Sequence, residues 1–144
     1  MKKIKQIVAV MTPFPYSIDG EESLAAAREM MARKKIKHLP VSENGQLAGI
    51  ISERDIDQAE INVTNLGSEQ LTVGQISQRH VYKAEVSTPM DTVLSQMAQR
   101  HIGSVLVTKD DRLVGIFTST DACRCFAEHL RQGFPKQDQQ PHLA

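Results

Sequence analysis

The stretch Gly49-Ile50-Ile51-Ser52-Glu53-Arg54-Asp55 returns 66 positions later as Gly115-Ile116-Phe117-Thr118-Ser119-Thr120-Asp121. Extending that register outward lays residues 7–57 over 73–123 without a gap. Identical pairs are Tyr16/Tyr82, Met31/Met97, Ala32/Ala98, Ile36/Ile102, Val41/Val107, Leu47/Leu113, Gly49/Gly115, Ile50/Ile116 and Asp55/Asp121. Chance from ordinary composition gives about three such pairs over this span. One structural unit is therefore used twice.

Each copy has the same order of patterns. Tyr16–Ile18 and Val81–Ala84 read as short strands. Ser23 and Thr88 stand as helix N-caps, with Pro89 suited to a first helical position. Leu24, Ala27, Met31 and Met90, Val93, Met97 then recur at spacings of three and four, the apolar stripe of a helix. Strands follow at His38–Val41 and Ser104–Val107 and, after turns at Glu43-Asn44-Gly45 and Lys109-Asp110-Asp111, at Leu47–Ile51 and Leu113–Phe117. A second helix starts after Ser52 and after Thr118, the later one running to about Arg131 before Gly133 and Pro135. The unit is β-α-β-β-α. Its helices can cover only one sheet face, so the fold class is α+β, with tandem repeats packed sheet to sheet. Expected boundaries are repeat one at 1–57, including an N-terminal helix, a linker at 58–72 centred on Gly67 and Ser68, repeat two at 73–131, and a flexible tail at 132–144.

Composition narrows the function. The 144 residues carry 17 Lys+Arg and 17 Asp+Glu, a formal net charge of zero, with 4% aromatics and no Trp. A nucleic-acid binder carries a basic excess, so nucleic acid is not an expected partner. No apolar run approaches the ~18 residues that span a bilayer, and the apolar stretch after the basic N-terminus is too short for a secretory leader. Cys123 and Cys125 are too close to close a useful disulfide loop. A cytoplasmic location is expected. The five histidines show no paired metal spacing, and Cys123 and Cys125, two apart on one helix with His129, point to different faces, so one tetrahedral site is not expected and no metal is expected. No nucleophile elbow or His–Asp pairing marks the chain as an enzyme.

Two β-α-β-β-α units, each ending Gly-hydrophobic-x-Ser/Thr-x-x-Asp, resemble the cystathionine β-synthase-type (CBS) domain pair. Val10-Met11-Thr12-Pro13 and Ile36-Lys37-His38-Leu39-Pro40-Val41 extend that resemblance. It implies pseudo-twofold symmetry, and two clefts between the repeats that take an adenosine-containing ligand: AMP, ADP, ATP, NAD or S-adenosylmethionine. It further implies energy sensing, a flat homodimer, and a regulated partner protein that the sequence does not identify. No cofactor is implied. By the same resemblance Asp55 and Asp121 take the ribose hydroxyls and Ser52 and Thr118 meet ribose or phosphate. Tyr16 and Tyr82, on the first strands, belong to the adenine enclosure. Lys37 and His38 meet phosphate, and Gly103 and Ser104 hold the matching positions in repeat two, so the clefts are expected to differ.

Ser-x-x-Asp before a helix is also a capping-box pattern. Reciprocal capping prefers the longer Glu or Gln at its third position, so Asp is expected to close the box poorly and to stay free for hydroxyl donors. The competing function is a structural dimerisation or docking module with vestigial clefts. A weaker third is an enzyme acting on the bound nucleotide.

Overall fold

The computed structural model describes residues 3–13, 15–62 and 71–133. Gly67, Ser68 and all but the first two residues of the expected tail lie outside them. Repeat one contains β2 (Ile18–Asp19), α1 (Leu24–Lys34), β3 (His38–Glu43), β4 (Gln46–Ser52) and α2 (Glu53–Asn62). Repeat two contains β5 (Lys83–Glu85), α4 (Met90–Arg100), β6 (Ser104–Lys109), β7 (Arg112–Thr118) and α5 (Ser119–Gly133). A short strand β1 (Thr12–Pro13) precedes the first repeat, and a one-turn helix α3 (Val73–Ile76) precedes the second. Helix α2 thus continues to Asn62, into the stretch read as linker.

The helices form where the apolar spacing places them. Leu24, Ala27 and Met31 of α1 are buried against Leu39, Val41 and Ile51 of their own sheet. Val93 and Met97 of α4 pack in the same way on Val105, Val107 and Phe117. Ser23 Oγ accepts the Ala26 amide at 3.1 Å, as an N-cap should. Thr88 does not cap α4: Pro89 holds the cap position with no side-chain bond. The Met90 amide donates instead to the Lys5 carbonyl at 2.9 Å, so the N-terminal segment supplies the acceptor. Tyr16, Val81 and Tyr82 also fall just outside the strands expected of them.

Strands pair in the order β2-β3-β4 in one sheet and β1-β7-β6-β5 in the other. Both hairpins turn through two residues of positive φ, Asn44-Gly45 and Asp110-Asp111, the geometry that matches strand twist. Register shifts fall at equivalent points, Val41/Ser42 and Val107/Thr108. Ile50, Leu106 and Ile116 bury a separate cluster between the sheets, with Leu47, Val81 and Leu113 around it. The sheets therefore meet through the faces that the helices leave open.

The segment ahead of each repeat docks on the other repeat. Ile7, fully buried, belongs to the core of repeat two, and Val73, equally buried, to the core of repeat one. The Ile7 amide donates to the Thr88 carbonyl and the Val73 amide to the Glu22 carbonyl, both at 2.9 Å. β1 pairs with β7, while Gln78 bridges Ile50 of β4. The N-terminal helix assigned to repeat one is a single 3-10 turn, Ile7–Ala9, seated on repeat two.

Candidate functional site

Gly49 and Gly115 explain why each motif opens on glycine. A Cβ at Gly49 would collide with the Gln78 backbone, and one at Gly115 with the Met11 side chain. Each glycine thus admits the crossing segment against its strand. At Gln78 both backbone groups bond to Ile50, at 3.0 and 2.8 Å.

The crossing segment walls a cleft of about 170 Å³ between the repeats. Ser52, Asp55 and His38 line it from repeat one, and Tyr82, Gly103 and Ser104 from repeat two. Six of the ten expected site residues therefore meet in one place. Lys37 does not: it is exposed, and lines a separate hollow between α1 and α2 with Arg28 and Glu53. The strand carries it away because its neighbour His38 faces the cleft. Tyr16, Thr118 and Asp121 are not in this cleft either. They sit at the positions that the 66-residue register matches to Tyr82, Ser52 and Asp55. Lys34 Nζ lies 4.6 Å from the Tyr16 ring centroid, and Arg100 caps the Tyr82 ring at 4.8 Å.

The expectation that Asp closes a capping box poorly is corrected. Asp55 Oδ2 accepts the Ser52 amide at 2.9 Å, and Ser52 Oγ accepts the Asp55 amide at 3.1 Å. Asp121 Oδ2 likewise accepts the Thr118 amide at 2.9 Å and the Thr118 hydroxyl at 3.1 Å. One oxygen of each carboxylate is thus committed to the helix start. The other differs between repeats: Asp55 Oδ1 accepts from Gln78 Nε2 at 3.2 Å, a neutral donor, whereas Asp121 Oδ1 pairs with Arg124 at 3.1 Å. Asp121 is only 8% exposed.

Burial pushes the His38 imidazole below its usual pKa; Asp55 pulls it back up, and Lys37 adds to the lowering. Sequence reasoning missed Gln78, His80 and His101, which also line the cleft. Gln78 was within reach, because the gapless register matches it to Thr12 of the quoted Val10–Pro13 motif. His80 and His101 carry no local signal. The described residues contain no cluster able to hold a metal ion, and no described helix is long and apolar enough to cross a membrane.

The CBS domain family model matches residues 4–62 and 73–128. The chain belongs to the CBS domain family. As a CBS pair it is similar to the L-aspartate semialdehyde sulfurtransferase of Methanocaldococcus jannaschii, 34% identical over 81% of this chain but spanning only 22% of that protein. It is 28% identical to hypoxic response protein 1 of Mycobacterium tuberculosis over 83% of each chain. Among solved structures, a CBS domain pair in complex with 5′-methylthioadenosine and S-adenosyl-L-methionine superposes with a TM-score of 0.77. It is 29% identical and covers 88% of this chain and 99% of its own.

Proposed function

We propose that this CBS pair is a regulatory module, not an enzyme, that binds an adenosine-containing ligand (AMP, ADP, ATP, NAD or S-adenosylmethionine) and signals its occupancy to a partner protein. The carrying observation is the cleft itself, in which the helix-capping Asp55 of one repeat faces Tyr82, Gly103 and Ser104 of the other. A ligand held there touches both repeats, so its affinity depends on how they sit together, and that dependence is what couples binding to a partner. Asp55 Oδ1, released by Gln78, is a charged acceptor for ribose hydroxyls. The similarity to a CBS pair that binds adenosine derivatives supports the same reading. Thr118 and Asp121, with Tyr16, form the corresponding ribose and adenine contacts of a second, unequal cleft, and Lys37 a phosphate contact there. The free cysteines Cys123 and Cys125 suit a reducing, cytoplasmic setting, and the active form is a homodimer.

Titration calorimetry with those five ligands tests the reading. Charge-assisted hydrogen bonds contribute about 1.5–3 kcal/mol, so Asp55→Asn should weaken binding roughly 10- to 100-fold. The structural-module alternative draws on the capping bonds at Asp55 and Asp121, which account for both residues without a ligand. It gains if no adenosine compound binds, or if Asp55→Asn costs only stability.

A further inference from the structure

Both tyrosines of the chain carry a cation over the ring, and the repeat builds the contact twice. Lys34 Nζ lies 4.6 Å from the Tyr16 centroid, and the Arg100 guanidinium carbon 4.8 Å from that of Tyr82. The 66-residue register matches Tyr16 to Tyr82 and Lys34 to Arg100. Each cation stands in the last turn of its helix, just ahead of a left-handed C-cap, Lys35 at φ 56° and His101 at φ 54°. The cap ends the helix at the same point in both copies, which fixes where the preceding side chain leaves it. The helix dipole accounts for a cation at this end. It does not account for a cation over a ring in both repeats.

The two pairs differ in how firmly the cation is held. Arg100 Nε donates to Gln96 Oε1, one turn earlier, at 2.9 Å. The register matches Gln96 to Met30, which has no oxygen to offer Lys34. A guanidinium is also planar and stacks on an aromatic face, whereas an ammonium is a point charge on a flexible stem. Tyr82 is half-buried, and Tyr16 is 51% exposed. Tyr82 lines the cleft with Ser52 and Asp55, while Arg100 and Gln96 stay outside the lining. Gln96, Arg100 and Tyr82 thus form a chain of contacts from α4 to the cleft wall.

We infer that Arg100, tethered by Gln96, is a positioning residue that holds the Tyr82 ring in place for the base of the ligand to pack against. This rests on the adenosine reading above and deepens it. A ring fixed before binding loses less freedom when the ligand arrives, and the difference appears as affinity. Lys34 and Tyr16 are the looser version of the same device, so the Tyr82 cleft is the better prepared of the two.

Tyrosine emission tests this, because the chain has no Trp and its only tyrosines are Tyr16 and Tyr82. In a Tyr16→Phe background the emission comes from Tyr82 alone, and every variant is compared within it. Adenosine is the probe: it has no phosphate, so a lost cation cannot act through phosphate attraction. Adenosine should quench Tyr82 as it binds the full chain. An exposed cation over a ring contributes enough for Arg100→Gln to weaken adenosine roughly two- to fivefold, with less quenching at saturation. Gln96→Leu should do the same to a lesser degree. Arg100→Lys should keep part of what Arg100→Gln loses, and all melting temperatures should stay close to the parent's. Unchanged affinity and quenching in Arg100→Gln overturn the inference, as do equal losses in Arg100→Gln and Arg100→Lys. Adenosine that binds without changing Tyr82 emission also overturns it and leaves the adenosine reading standing. No adenosine binding to the unmodified chain overturns the adenosine reading itself.

Discussion

His38 is where burial, a carboxylate and a lysine act on one proton. Desolvation dominates and lowers its pKa below the usual 6.5. Between its folded pKa and 6.5 the unfolded chain therefore binds a proton that the folded chain refuses. The stability from a neutral His38 is fully present above pH 6.5 and declines as pH falls through that window. Urea midpoints at pH 7.5 and 5.5 should drop for the native chain and drop less for His38→Gln. Asp55, Lys37, His80 and His101 surround the same region and stay in both proteins, so equal drops would remove His38 as the cause. The residue scale also shows how the motif could be read in two ways from sequence. Ser-x-x-Asp fitted a cap and a ribose acceptor, and a carboxylate has two oxygens: Oδ2 caps, while Oδ1 points to Gln78 or Arg124. Which donor meets Oδ1 depends on a crossing segment and on the next helical turn, which no spacing rule reports.

At the scale of elements, period and turn chemistry made the helices and hairpins legible. Leu24/Ala27/Met31 and Asn44-Gly45 each have one sensible local solution. The partner of each buried face was less legible, because periodicity tells which side is covered and not by what. Ile7 and Val73 show the difference. Both are apolar and matched by the repeat, yet each is buried in the repeat that does not follow it. Ile7→Ala removes a fully buried side chain, which typically costs ~2–5 kcal/mol. The loss should appear first in the repeat-two core, with faster hydrogen exchange in β6 and β7 than in β3 and β4. Loss confined to β3 and β4 would contradict the crosswise docking.

The whole molecule raises the question of association. The apolar stripes Leu24/Ala27/Met31 and Met90/Val93/Met97 would be the obvious faces for a partner copy. These side chains are instead between 0% and 8% exposed, because each helix lies on its own sheet. Besides Ile4, Val8 and Tyr16 near the N-terminus, large exposed apolar side chains lie on other faces of the α-helices: Phe126 and Leu130 of α5, 62% and 43% exposed, Ile61 of α2 at 71%, and Leu94 of α4 at 39%. Phe126 and Leu130 are four apart, so they share one side of α5. A stable homodimer needs about 800 Å² from each partner, and a closed pair by C2 symmetry presents the same patch twice. The proposed homodimer should therefore close through α5. Sedimentation at tens of micromolar, where an interface of standard size holds together, should give a species of twice 16.0 kDa. Phe126→Asp with Leu130→Asp should return it to the single mass, with its thermal transition kept, because neither side chain is part of a buried core. A dimer that survives both changes moves the interface to Leu94 or Ile61. A single 16.0 kDa species in the native chain removes the homodimer from the proposal.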